Sequence, residues 1–166
     1  MIVAERQTMS VGRSGDASDR VTTITAALNQ VTEFTYDPAN GNLLTVKDPL
    51  NQVTTIGYND FGQPLSVQGP IATEPPTTFA YDVVSRLLSL TDPRGLVTQF
   101  RYDSLNRVTD IADAQQGLTR FTYDPNGNLL SVTDAKHQTT TYTYDNMDRL
   151  KTCTDAPNRQ ESYQHH

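Results

Sequence analysis

The sequence predicts an all-β protein, an antiparallel meander of about 13–14 short strands built from 21-residue repeats. Three observations carry that prediction. A Tyr-Asp pair recurs along the chain, the residues before each pair alternate with period two, and the stretches between alternating segments carry tight-turn chemistry.

The pair stands at Tyr36-Asp37, Tyr81-Asp82, Tyr102-Asp103, Tyr123-Asp124 and Tyr144-Asp145, with Tyr58-Asn59 filling the gap, so the steps are 22, 23, 21, 21 and 21 residues. Counting back 21 from Tyr36 reaches Gly15-Asp16, where GDASDRVTTIT aligns with YDVVSRLLSLT from Tyr81, which adds an earlier unit with glycine in the tyrosine slot. Units therefore start at 15, 36, 58, 81, 102, 123 and 144, after a flank of residues 1–14, and the array runs through residue 164. TDAPNRQESYQ from Thr154 keeps register with TDPRGLVTQFR from Thr91, so a tyrosine is expected where His165 and His166 stand. Those two histidines read as the remnant of a purification tag, and the chain as a piece of a longer array.

Within a unit the second half is the clearer strand. Thr98, Phe100 and Tyr102 project to one face while Gln99, Arg101 and Asp103 project to the other. The same phase recurs in Thr32/Phe34/Tyr36, Thr54/Ile56/Tyr58, Thr77/Phe79/Tyr81, Thr119/Phe121/Tyr123 and Thr140/Tyr142/Tyr144, a β-branched and aromatic pattern suited to strands. The first half holds a shorter strand, as in Leu43–Val46, Leu87–Leu90 and Leu129–Val132. No window holds a helical period.

Two kinds of turn connect these strands. Asp92-Pro93-Arg94-Gly95 and Asp124-Pro125-Asn126-Gly127 place an aspartate where its side chain accepts from the backbone two residues on; proline presets φ, and Gly95 and Gly127 take positive φ. Asp48-Pro49-Leu50-Asn51 and Asp155-Ala156-Pro157-Asn158 repeat the scheme with asparagine in the left-handed position, and Asp134 heads a further turn of this kind. Irregularities fall in turns, with one extra residue in Pro38–Gly41 and two more in Gly69–Pro76. Pro64 opens its strand without a donor, so a bulge or unpaired position is expected there.

Composition narrows the functional classes. With 19 acidic against 13 basic residues and net charge −6, no large phosphate-tracking surface and no nucleic-acid partner are expected. A single thiol, Cys153, makes no intrachain disulfide and no set of metal ligands, and no cofactor is implied. Apolar runs are far below the roughly 20 residues a spanning helix needs, so no membrane insertion is expected. Leu, Ile, Val and Phe number 36 of 166 residues, thin for an ordinary core, yet the chain holds eight tyrosines and five phenylalanines.

The recurrent Tyr-Asp, with Gly-Arg-Leu-like and Thr-Asp-x-x-Gly segments at fixed offsets over residues 15–164, resembles the YD repeat of the Rhs family. That family includes bacterial Rhs and wall-associated toxins, the B and C components of insecticidal toxin complexes, and the teneurins. The resemblance implies a curled or spiralling sheet, part of a shell or barrel-like wall, in a secreted or cell-surface protein. It implies as partners the neighbouring repeats and a C-terminal toxin or adhesion domain. Asp92-Pro93-Arg94-Gly95-Leu96 resembles the DPxGL signature at the end of an Rhs core, but it sits in phase with the other turns and is followed by more repeats, so it reads as a turn.

Chemistry at the repeated residues is not expected. Neighbours on a strand point to opposite faces, so a Tyr-Asp pair cannot converge on one atom, and no catalytic residue is assigned. The structural assignment goes to Tyr36, Asp37, Tyr58, Tyr81, Asp82, Tyr102, Asp103, Tyr123, Asp124, Tyr144 and Asp145, with turns set by Asp48, Asp92, Gly95, Gly127, Asp134 and Asp155. A calcium-holding row of Asp92, Asp134 and Asp155 is weaker than turn capping, for want of the ligand spacing of a calcium loop. Arg86, Arg107 and Arg149 follow hairpin turns and are expected to pair with aspartates of neighbouring repeats rather than to form an anion-binding row. Cys153 shares the slot of Leu90, Ile111 and Val132, and His137 is a solvated turn residue. The sequence thus points to a non-enzymatic structural repeat module. The alternative is a surface-binding module whose exposed aromatic rows stack on neutral glycans, and open strand edges add the expectation of self-association.

Overall fold

A computed structural model describes residues 12–164, apart from a short 3-10 turn at Ala27–Asn29, entirely as strands and the turns between them. The chain divides into two units, one ending at Thr78 and the other beginning at Phe79.

In the first unit the strands are β1 (Gly12–Gly15), β2 (Val21–Ala26), β3 (Gln30–Tyr36), β4 (Leu43–Lys47), β5 (Val53–Tyr58) and β6 (Pro64–Gln68), followed by the start of β7 (Thr77–Tyr81). Each pairs antiparallel with the next in sequence, and β6 receives the first residues of β7 through Ser66–Thr78 and Val67–Thr77. The second unit contains β8 (Leu87–Thr91), β9 (Val97–Tyr102), β10 (Val108–Ala112), β11 (Leu118–Tyr123), β12 (Leu129–Thr133), β13 (Thr139–Tyr144), β14 (Leu150–Thr154) and β15 (Gln160–Ser162), again paired in sequence order. The fold is all-β and antiparallel, as expected. Among the described residues fifteen strands are present rather than 13–14, because β1, a strand of the kind that ends on a repeat head, precedes the first turn and takes in part of the stretch read as a flank. Residues 1–11 and the two histidines read as a tag lie outside the described residues.

Alternation sorts the side chains onto two unlike faces. In β9, Thr98, Phe100 and Tyr102 are half-buried while Gln99 and Arg101 are exposed. Across strands the half-buried face juxtaposes Phe34 with Val46, Phe100 with Ile111, Phe121 with Val132 and Tyr142 with Cys153, aromatic and aliphatic pairs worth roughly 0.2–1 kcal/mol each. The opposite face is hydroxyl-rich. Thr35 and Thr45 lie 2.6 Å apart, Thr122 and Ser131 2.6 Å, and Thr143 and Thr152 2.6 Å. No described side chain is fully buried. Stability therefore comes from backbone ladders and strand-to-strand pairs between neighbours, not from a central core.

The two turn types of the sequence share one geometry. The backbone N–H of the aspartate donates to the carbonyl four residues on, and the fourth turn residue donates back to the aspartate carbonyl, as in Asp92–Leu96 and Gly95–Asp92, both 2.9 Å. That fourth residue has positive φ in turn after turn: Gly95 at 79°, Gly127 at 98°, Asn51 at 61°, His137 at 62° and Asn158 at 65°. The Asp92–Leu96 segment is thus one more turn. The irregular loop after β6 is organised differently, with the Gln68 side-chain amide donating to the carbonyls of Gly69, Ile71 and Glu74 at 3.3, 3.1 and 3.0 Å.

A register shift marks the hairpins that follow Tyr36, Tyr58, Tyr102, Tyr123 and Tyr144: Tyr36 opposes Leu43 while Thr35 opposes Thr45, and a like step recurs at the others. The bulge expected at Pro64 is present, opposite Tyr58. It is a property of the repeat, however, and explains why a proline is accepted at that position.

Candidate functional site: the tyrosine rim

Because consecutive hairpins alternate ends, each unit carries its Tyr-Asp turns on one rim and its Thr-Asp turns on the other. Successive Tyr-Asp turns are two strand spacings apart, about 9.5 Å. The repeated polar side chains bridge that interval.

The fullest example spans residues 103 to 124. Asp103 Oδ1 accepts from the backbone N–H groups of Leu105 at 2.9 Å and Arg107 at 3.0 Å, fixing the turn. Its other oxygen accepts from Arg107 Nε at 2.7 Å. The same guanidinium donates to the Asp124 carbonyl of the next repeat at 2.9 Å and lies over the Tyr123 ring, 4.6 Å from its centroid. Tyr123 closes the circuit by donating its hydroxyl to the Val108 carbonyl, next to Arg107, at 2.9 Å. Arginine of one repeat and tyrosine of the next therefore hold each other.

Arg86 repeats the arrangement with Asp82 (2.6 Å), the Asp103 carbonyl (3.4 Å) and Tyr102 (4.9 Å), while Tyr102 donates to the Leu87 carbonyl at 2.8 Å. Arg20 does so with Asp16 (2.7 Å), the Asp37 carbonyl (3.4 Å) and Tyr36 (4.9 Å), and Tyr36 donates to Val21 at 2.8 Å. Tyr58 and Tyr144 keep the hydroxyl bond, to Leu43 at 2.9 Å and Leu129 at 3.0 Å. In the repeats just before them asparagine, Asn42 or Asn128, stands in the arginine slot. Tyr81 ends β7 and is half-buried.

These contacts correct one expectation. Arg86, Arg107 and Arg149 pair with the aspartate of their own turn, four residues back, at 2.6, 2.7 and 2.7 Å, and not with side-chain carboxylates of neighbouring repeats. The reason is local, because the turn already points Oδ2 at the chain's exit. What Arg86 and Arg107 reach in the next repeat is a carbonyl and a ring, with the Asn106 amide oxygen added for Arg86. The sequence missed this since it needs the 17-residue separation of arginine and carbonyl to be read across two strands.

The remaining aspartates cap turns. Asp37 accepts from Ala39 N–H at 2.8 Å, Asp48 from Leu50 and Gln52 at 2.9 and 2.8 Å, Asp92 from Arg94 and Leu96 at 2.9 Å, Asp134 from Lys136 and Gln138 at 2.9 and 2.8 Å, and Asp155 from Arg159 at 2.8 Å. Backbone donors four residues on lead in holding Asp82, Asp92 and Asp103 below the usual carboxylate range. At Asp124 the Asn128 amide leads, and at Asp145 the Arg149 guanidinium, which brings that carboxyl to about 2. At Asp16 and Asp155 partial burial pushes upward, but the backbone donors and Arg20 or Arg159 outweigh it.

Among the described residues no three His, Cys, Asp or Glu side chains gather as metal ligands. An open groove of about 450 Å³ in the second unit is lined by residues such as Leu96, Val97, Gln99, Arg101, Ala112 and Leu118, with no histidine, cysteine or hydroxyl group on its walls.

Comparisons with known proteins agree with this geometry. The RHS Repeat family matches residues 81–118 and 123–160. No curated protein matches the chain by sequence. Among solved structures, the crystal structure of TcdB2-TccC3-Cdc42 superposes with a TM-score of 0.71 at 18% identity, covering 86% of this chain and 9% of that one. TcdB2-TccC3 without its hypervariable C-terminal region matches at 0.71 and 19% identity, covering 86% and 9%. The Photorhabdus luminescens Tc holotoxin pore, with a TccC3 mutation, matches at 0.70 and 19% identity, covering 92% and 9%. The chain thus spans about a tenth of the solved chains it matches, and the likeness shows the fold. Residues 81–118 and 123–160 thus carry RHS repeats, in a chain that shares the fold of these solved structures.

Proposed function

We propose that the chain is a non-catalytic wall element whose repeats bond to one another so as to enclose or present a toxin or adhesion domain of a secreted or surface-displayed protein. The observation that carries this reading is the circuit at Arg107: one guanidinium serves its own turn, the next repeat's carbonyl and the next repeat's ring, and the tyrosine hydroxyl returns the bond. Polar groups spent in this way are not available to a substrate. They lock the repeat-to-repeat spacing, which is what a wall requires.

Support for the enclosing role comes from a solved structure of the same fold, which is by name a Tc holotoxin pore. The test uses the longer polypeptide that carries these repeats together with its C-terminal neighbour. Protease should spare the neighbour in the wild type and cut it when Tyr102 and Tyr123 are both changed to alanine. Equal cleavage of wild type and variant would count against enclosure. The glycan-binding alternative draws less support from the rim, since the rings of Tyr36, Tyr102 and Tyr123 each have a face under an arginine. A glycan array probed with the intact chain separates the two readings: binding above background that survives loss of the rim latch would favour the lectin.

A further inference from the structure

The repeats are near-copies, so each shows what the others lack. In three of them a guanidinium sits between the turn aspartate and the following tyrosine ring: Arg20 at Tyr36, Arg86 at Tyr102 and Arg107 at Tyr123. Arg86 also donates to Asn106 Oδ1 at 2.9 Å, the left-handed residue of the next Tyr-Asp turn. At the corresponding place between residues 124 and 148 the arginine slot holds Asn128, and the left-handed residue is Asp148, at φ 58°. The acceptors that elsewhere face a guanidinium are still there. Among the described residues the side-chain donor to Asp124 Oδ2 is the Asn128 amide, at 2.9 Å, and the side-chain donors to Asp148 Oδ1 are the amides of Asn128 and Asn126, at 2.7 and 3.1 Å. Two carboxylates are thus met by neutral donors. No guanidinium lies over Tyr144 among the described residues, because an asparagine side chain ends well short of where an arginine would place its head.

We propose that Asp124, Asp148 and the ring of Tyr144 form a binding site for an arginine side chain supplied by another polypeptide segment, whose guanidinium takes the place that Arg86 and Arg107 fill in their own repeats. The chemistry favours guanidinium over ammonium. A planar fork can meet carboxylate oxygens at its edge while stacking its face on the ring. Burial first, then Tyr142 and Asp124, raise the pKa of the Tyr144 hydroxyl. The first unit supplies an internal control. Asn42 likewise stands in the arginine slot before Tyr58, but the next left-handed residue there is Gly62, which offers no second acceptor.

The test is a titration of the intact chain with N-acetyl-arginine amide, following tyrosine ring resonances by NMR and using equal ionic strength of sodium chloride as the blank. Saturable shifts at Tyr144 are expected in the range of about 1–50 mM, as suits a partly exposed ion pair. Tyr58 should stay unmoved. D148N should weaken binding several-fold. N128R, which supplies the guanidinium from within, should abolish the response and move the Tyr144 ring signals by itself. Three results would overturn the proposal: no saturable shift at Tyr144, equal shifts at Tyr102 and Tyr123, or a response that persists undiminished in a folded N128R. D148N keeps the proposal testable if N128R does not fold.

Discussion

Arg107 and Tyr123, 16 residues apart, hold each other: the guanidinium covers the ring at 4.6 Å, and the tyrosine hydroxyl bonds the carbonyl next to that arginine. The contact joins one repeat to the next across the single pairing of β10 with β11. It explains how a sheet with no fully buried side chain keeps its repeats in register.

The hydroxyl and the ring of a repeat tyrosine have separable effects. Tyr102→Phe removes the bond to the Leu87 carbonyl and should cost about 0.5–1.5 kcal/mol. Tyr102→Ala also removes the ring from Arg86 and from the apolar face and should cost about 2–4 kcal/mol. Gln99→Ala, on the exposed face, should stay within about 0.5 kcal/mol. Urea unfolding of the three variants checks the order, and an equal effect at positions 99 and 102 would refute the facing assignment.

Left-handed turn positions occupied by ordinary residues are places where the chain can be improved. Leu28, at φ 62° and 82% exposed, packs little and is strained, and His137 sits at φ 62° in an exposed turn. Left-handed geometry costs an L-residue roughly 1–2 kcal/mol, and glycine's extra unfolded-state freedom offsets about half of the gain. Leu28→Gly and His137→Gly should each raise the melting temperature, whereas Gly127→Ala, at φ 98°, should lower it. Thermal unfolding followed by circular dichroism measures all three.

Acid should weaken the rim in a defined window. Asp16, Asp82, Asp92, Asp103, Asp124, Asp145 and Asp155 have folded pKa values below their unfolded ones, so the stability they contribute is fully present above about 4 and is lost as pH falls through the folded values. For Asp145 that value is about 2. Stability should therefore change little through these groups between about pH 7 and 5, then decline from about 4 towards 2, while the arginines stay charged. Urea midpoints across that range test the sign. Stability that climbed on acidification from 4 to 2 would argue against the carboxylate–arginine clips.

Much of this was legible in the sequence, and the parts that were not have a physical reason. Period-two alternation in Thr98-Gln99-Phe100-Arg101-Tyr102 declares its faces because a strand repeats every two residues. Asp92 and Gly95 declare their turn because aspartate caps and glycine frees φ locally. The partner of Arg107 could not be read the same way. Its own turn claims it by proximity, whereas its second and third contacts lie in the next repeat, where register and the bulge before Tyr123 decide the distance. Sequence likewise did not reveal that Ser85, Gln116 and His137 adopt the geometry of Gly95, since a turn fixed by its aspartate imposes that φ on whatever residue follows.

The central claim is that, where the arginine is present, stability passes from one repeat to the next through the arginine–tyrosine contact. The most direct measurement is a pair of double-mutant cycles by urea unfolding, one on Arg107 and Tyr123, the other on Arg86 and Tyr123. The adjacent pair should show a coupling of about 0.5–1 kcal/mol, and the non-adjacent pair none beyond about 0.3–0.5 kcal/mol. No coupling between Arg107 and Tyr123, or the same coupling in both cycles, would contradict a wall held together repeat by repeat.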